Sequence, residues 1–141
     1  TERTCHTFSI TGRAENVADI HREIDLFCQQ NGIPRNKGVL LAIAFEEAAL
    51  NIINHNEHVS MIDICLLLEE GSLIVRIRDN GAPFDPLAFV DDVDILQENN
   101  ISLLERLTDQ KAYTRIMNMN NTVLSIRLEA AENDGANDGT C

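Results

Sequence analysis

Strands in one layer and helices in the other, an α+β two-layer sandwich, is the fold this sequence predicts. Three patterns in the 141-residue chain predict it. Apolar residues keep helical spacing across residues 17–28 and again across 36–55. They recur at every second position through 62–68 and 73–77, and a second strand pair closes the chain before an acidic end.

Taken in order, His6, Phe8 and Ile10 alternate with Thr7, Ser9 and Thr11 before Gly12, which reads as an opening strand and a turn. Val17, Ile20, Ile24, Phe27 and Cys28 then mark a helix that Asn31-Gly32 and Pro34 end. A second helix spans 36–55. Ile62, Ile64, Leu66 and Leu68 alternate up to Glu69-Glu70-Gly71-Ser72, and Leu73, Val75 and Ile77 alternate after it, so a hairpin is expected. The period of two places Asp79 on the face of Leu73, Val75 and Ile77, so its carboxylate is expected to point toward the core layer. Residues 84–100 read as a loop and about 101–109 as a helix. Tyr113–Met117 and Thr122–Leu128 read as a last hairpin turning at Met119-Asn120-Asn121.

Within the second helix Glu47, Asn51 and His55 recur every four residues. With Asn54 they fall in an arc of about 100° that also holds Leu40 and Ile43. On the other side Val39, Leu41, Ala42, Phe45, Ala48, Ala49, Leu50, Ile52 and Ile53 leave Glu46 nearly the sole outward polar residue, so the helix is expected to be buried nearly all round. A polar partner should then meet the stripe, because an unpaired buried charge costs several kcal/mol by order of magnitude. A carboxylate and a carboxamide one turn apart can take a proton and hold a hard cation. The plainer alternatives are the solvent face of an amphipathic helix, or a capping cluster near Asn54–Glu57.

The length fits one domain, expected over 1–129, with 130–141 as an acidic disordered tail. No apolar run is long enough to span a bilayer, since Glu46, Glu47 and Asn51 interrupt 39–53. The first residues carry no signal-peptide pattern, and a cytoplasmic location is the expectation. Cys5, Cys28, Cys65 and Cys141 show no paired spacing, so neither disulfides nor a zinc site is expected. His55 and His58 lack a third ligand at a recognisable spacing. Asp91, Asp92 and Asp94 lack the central glycine and terminal glutamate of a calcium loop. A formal charge of -12, from 11 basic against 23 acidic residues, argues against a nucleic-acid backbone as partner and is compatible with a basic protein.

Two polar sites thus sit in hydrophobic elements: Glu47/Asn51/His55, and Asp79 followed by Asn80-Gly81. Their order resembles the GHKL ATP-binding superfamily, shared by histidine kinases and gyrase-type ATPases. The run Arg78-Asp79-Asn80-Gly81-Ala82-Pro83-Phe84-Asp85-Pro86 and the short length look most like the bacterial anti-sigma factor serine/threonine kinases. The resemblance covers about residues 5–129 and implies a Bergerat-type ATP-binding fold with a mixed, mainly antiparallel sheet and helices on one face. It implies ATP and Mg2+ as ligands, Glu47 as general base, Asn51 as the magnesium ligand, and Asp79 as acceptor for the adenine amino group. Gly81 would let the backbone pass close to the base, and His55 and Asn56 would lie near the phosphates. The implied partners are a sigma factor and a STAS-type anti-sigma-factor antagonist, with homodimers common among such proteins.

The sequence departs from that pattern at the glycine-rich lid. Glu98-Asn99-Asn100-Ile101 stand where the family carries Gly-x-Gly-x, although Asn99 and Asn100 tolerate left-handed backbone. No Lys or Arg occurs between Arg78 and Arg106, while six carboxylates do, from Asp85 to Glu105. Weaker nucleotide binding than in a complete relative is the expectation. The alternative is a nucleotide-independent interaction module on the same fold.

Overall fold

A computed structural model of the chain describes residues 4–56, 58–86 and 106–128. The expected loop beyond residue 86, most of the expected helix 101–109, Asn99, Asn100 and the tail lie outside the described residues. Strand β1 (Thr4–Thr11) and a 3-10 turn (Ala14–Asn16) lead into helices α1 (Ala18–Gln30) and α2 (Arg35–His55). Strands β2 (Met61–Glu69), β3 (Ser72–Asp79), β4 (Gln110–Ile116) and β5 (Met119–Arg127) follow. They form one five-stranded sheet in the order β1-β2-β3-β5-β4.

All four pairings are antiparallel, so the sheet is not mixed among the described strands. The connections account for this. Tight hairpins can join only antiparallel neighbours, and two successive helices between β1 and β2 bring the chain back in the reversed direction. Both hairpin turns have two central residues with positive φ, Glu70-Gly71 and Met117-Asn118, the pattern of a type I′ turn. The last turn is therefore two residues earlier than Met119-Asn120-Asn121. Asn120 and Asn121 belong to β5 and are buried.

The core lies between the helices and one face of the sheet. Ile20, Ile24 and Phe27 of α1 and Leu41, Phe45 and Ile52 of α2 pack against Ile62, Ile64, Leu66, Leu73, Val75, Ile77, Leu124 and Ile126. The apolar alternation of β2 and β3 is what presents one clean face to the helices. Gly38 lets α1 approach α2, since a Cβ there would sit 3.2 Å from Cys28 Sγ.

Helix α2 is not buried all round. Its core face carries Leu41, Ala42, Ala44, Phe45, Ala48, Ala49 and Ile52, whereas Val39, Leu40 and Ile43 on the opposite side are 38%, 39% and 45% exposed. One helix can rest only one flank on a sheet, so its apolar content overstates how much of it is covered.

Candidate functional site

The site is built where β3 ends beside the end of α2. Alternation along β3 turns Asp79 inward, as expected, and its side chain is 1% exposed. Asp79 Oδ1 accepts the Gly81 N–H at 2.9 Å and the Asn120 carboxamide N–H at 2.9 Å. Burial raises the carboxyl's pKa above the ordinary value, against the pull of the Asn120 bond, the Gly81 N–H and the Arg115 charge. A carboxylate at this depth holds its position through those donors.

Asn120 is the hub of this corner. Its side-chain nitrogen also donates to Ala82 O at 2.8 Å, while its oxygen accepts from Phe84 N at 3.2 Å, from Arg115 at 3.0 Å and from the Tyr113 hydroxyl. Arg115 reaches Gly81 O at 3.0 Å, and the Tyr113 hydroxyl accepts from Phe84 N at 3.2 Å. β4 and β5 thereby fix the backbone of residues 81–84. Asn80 turns the other way, accepting from Ser60 N at 3.0 Å and donating to Ser60 Oγ at 2.7 Å.

Asn56, just past α2, closes the same loop from the helix side. Its oxygen accepts Ala82 N–H at 2.8 Å and its nitrogen donates to Ala82 O at 2.7 Å, as a neighbouring strand would. Its carboxamide is engaged with the Asp79–Phe84 loop, and the residue is buried. Gly81 is required by this packing. A Cβ there would lie 2.5 Å from Val59 Cγ2 and against the Asn56 carboxamide. His55 stacks on Phe84, ring centroids 6.4 Å apart and 20° between planes.

Glu47 and Asn51 are half-buried on the open flank of α2, and Asn54 and His55 are exposed. Asn51 lies one turn and Glu47 two turns before His55, about 6 and 12 Å along the axis. The structure thus brings Asp79, Gly81 and Asn56 into contact and sets Asn51 and Glu47 in line along the helix leading away from them. Asn99 and Asn100 lie outside the described residues. Among the described residues no three of His, Cys, Asp and Glu gather as a metal site.

The histidine kinase-like ATPase domain family matches residues 10–128, a span that contains every element above except most of β1. The chain belongs to that family. Among curated proteins none matches the sequence. Among solved structures, this histidine kinase-like ATPase domain is similar to the crystal structure of the RsbU and RsbW domains of Rv1364c from Mycobacterium tuberculosis. That likeness has a TM-score of 0.65 at 12% identity, and it covers 89% of this chain and 32% of that one. The chain spans about a third of that solved chain's length, and the likeness is one of fold. The family is one of nucleotide-binding domains in general. No helix of the described residues is long and apolar enough to cross a membrane.

Three residues of this histidine kinase-like ATPase domain escaped the sequence reading: Asn120, Arg115 and Tyr113. The Asn-Asn composition at 120–121 is turn-like, so the sequence pattern places Asn120 in a turn. Its pairing with Asp79 is a register fact of β3 against β5, and only the folded sheet contains it.

Proposed function

We propose that this domain binds Mg-ATP and transfers the terminal phosphate to a serine or threonine of an antagonist protein, as part of an anti-sigma-factor-like regulator. The observation that carries the reading is Asp79: a buried carboxylate at a strand end, braced on Oδ1 by Gly81 and Asn120. Oδ2 is then the oxygen to accept the adenine amino group. A braced acceptor costs little reorganisation when the base arrives. Family membership and the RsbW-like fold support the same reading.

In this reading the nucleotide runs from Asp79 along the open flank of α2. Asn51 would hold the magnesium ion, and its carboxamide oxygen is a hard ligand of the kind Mg2+ accepts beside phosphates and water. The ion, when bound, neutralises charge on the transferred group. Glu47 takes the proton of the attacking hydroxyl. Asn56 and Gly81 act one step back, holding the loop that carries the base site. The partners proposed are a sigma factor and a STAS-type antagonist, with a homodimer as the working assembly in the cytoplasm. The domain proper is proposed to run to residue 129, with 130–141 as a separate acidic tail.

A second reading is favoured by the acidic stretch between Arg78 and Arg106 and by the absence of both lid glycines: an interaction module that works without nucleotide. Calorimetric titration with ATP, with and without magnesium, on the wild type and Asp79→Asn separates the two. Magnesium-dependent binding that is lost in Asp79→Asn is the expected result. No binding at millimolar ATP by the wild type would overturn the kinase reading in favour of the module.

A further inference from the structure

Two thiols meet on the sheet face turned away from the helices. Even-numbered residues of β1 and β2, such as Ile10, Ile62, Ile64 and Leu66, face the core, so the odd-numbered Cys5 and Cys65 face outward. They are diagonal neighbours, with Cys5 opposite Leu67 and Cys65 opposite Thr7. Their sulfur atoms lie 3.7 Å apart, and both thiols are free. Sixty residues of sequence separate them, which is why no paired spacing announced the contact.

We propose that Cys5 and Cys65 are a reversible redox pair, closed to an intrachain disulfide by a hydroperoxide. Cys5 is the exposed member, and its thiolate attacks the peroxide oxygen, giving a sulfenic acid and releasing water. The Cys65 sulfur then attacks the Cys5 sulfur, the S–O bond breaks, and a second water leaves. Overall two thiols lose two electrons and two protons, and hydrogen peroxide becomes two waters. A disulfide of about 2 Å needs the two sulfurs to approach by under 2 Å. Because β1 lies at the edge of the sheet among the described strands, paired there with β2 alone, it can shift to allow that. The bond ties this edge strand, whose His6 also contacts Glu23 of α1 at 2.7 Å, to its neighbour in the sheet.

Cys28 serves as an internal control. It is buried, and burial first and Asp25 second push its thiol up to about 11, so it stays protonated and shielded. The test treats the reduced full chain with hydrogen peroxide, followed by intact mass and peptide mapping after alkylation in denaturant. Expected are a loss of two hydrogens, a Cys5–Cys65 cross-linked peptide in the monomer, and alkylated Cys28 and Cys141. Dithiothreitol should restore all four thiols. Cys5→Ser and Cys65→Ser should each abolish the cross-link, while Cys28→Ser retains it. Irreversible sulfinate at Cys5 without a cross-link, a bond to Cys141, or disulfide-linked dimers as the main product would overturn the proposal.

Discussion

Asn120 has more to do in this protein than any residue the sequence singled out. One carboxamide satisfies Asp79, Ala82, Phe84, Tyr113 and Arg115, so its removal leaves several buried partners short at once. Asn120→Ala should cost about 3 kcal/mol, because Ala82, Phe84 and Arg115 each keep another partner and the loss falls mainly on the buried Asp79 carboxylate and the Tyr113 hydroxyl, at about 1–2 kcal/mol each. Urea unfolding should show this as a lower midpoint with an unchanged slope. Asp79 supports a second test. Its folded-state pKa is raised, so the folded chain binds that proton more tightly than the unfolded chain. Between the unfolded value and the raised one, stability therefore increases as pH falls, and the cost of the charged form is fully present above the raised value. Asp79→Asn keeps an oxygen for Gly81 and Asn120 and removes the charge. Its melting temperature should exceed the wild type's at pH 7, with the gap narrowing as the pH is lowered through that window.

The elements divide into those written in local pattern and those that were not. Periodicity was sufficient for α1, α2, β2 and β3, because a helix or strand facing one core repeats its apolar residues at its own period. The last hairpin was legible as a hairpin and misplaced at its turn, because the Asn-rich run 118–121 satisfies turn chemistry at more than one position. The turn that forms carries Met117 at φ 53, where a long side chain without local hydrogen bonding is disfavoured. Met117 is 90% exposed and makes little packing to lose. Met117→Asn should therefore stabilise the protein by about 0.5–1 kcal/mol, read as a raised midpoint in denaturant. The stripe on α2 was legible as residues, whereas its setting was not. That Glu47 and Asn51 lie on an open flank beside exposed Leu40 and Ile43 follows from which side of α2 meets the sheet.

Across the whole molecule the dominant quantity is a formal charge of -12, with no cation between Arg78 and Arg106. If the triphosphate lies along α2, it approaches a like-charged surface, and magnesium and salt should both ease that approach. Mg-ATP affinity in calorimetry should therefore rise or hold level as ionic strength increases from low to physiological. A steep loss of affinity with salt would show instead that cations of this chain hold the phosphates. The sequence by itself determined the helical and strand periods, the inward aspect of Asp79 and the candidate stripe Glu47/Asn51/His55, since each is set by spacing along one element, and its motifs carried the family resemblance. Tertiary structure alone decided what braces Asp79, why position 81 is glycine, that Asn56 clamps Ala82, and that Cys5 meets Cys65. Each of these joins residues far apart in the chain, and their meeting depends on strand register and on which flank a helix buries.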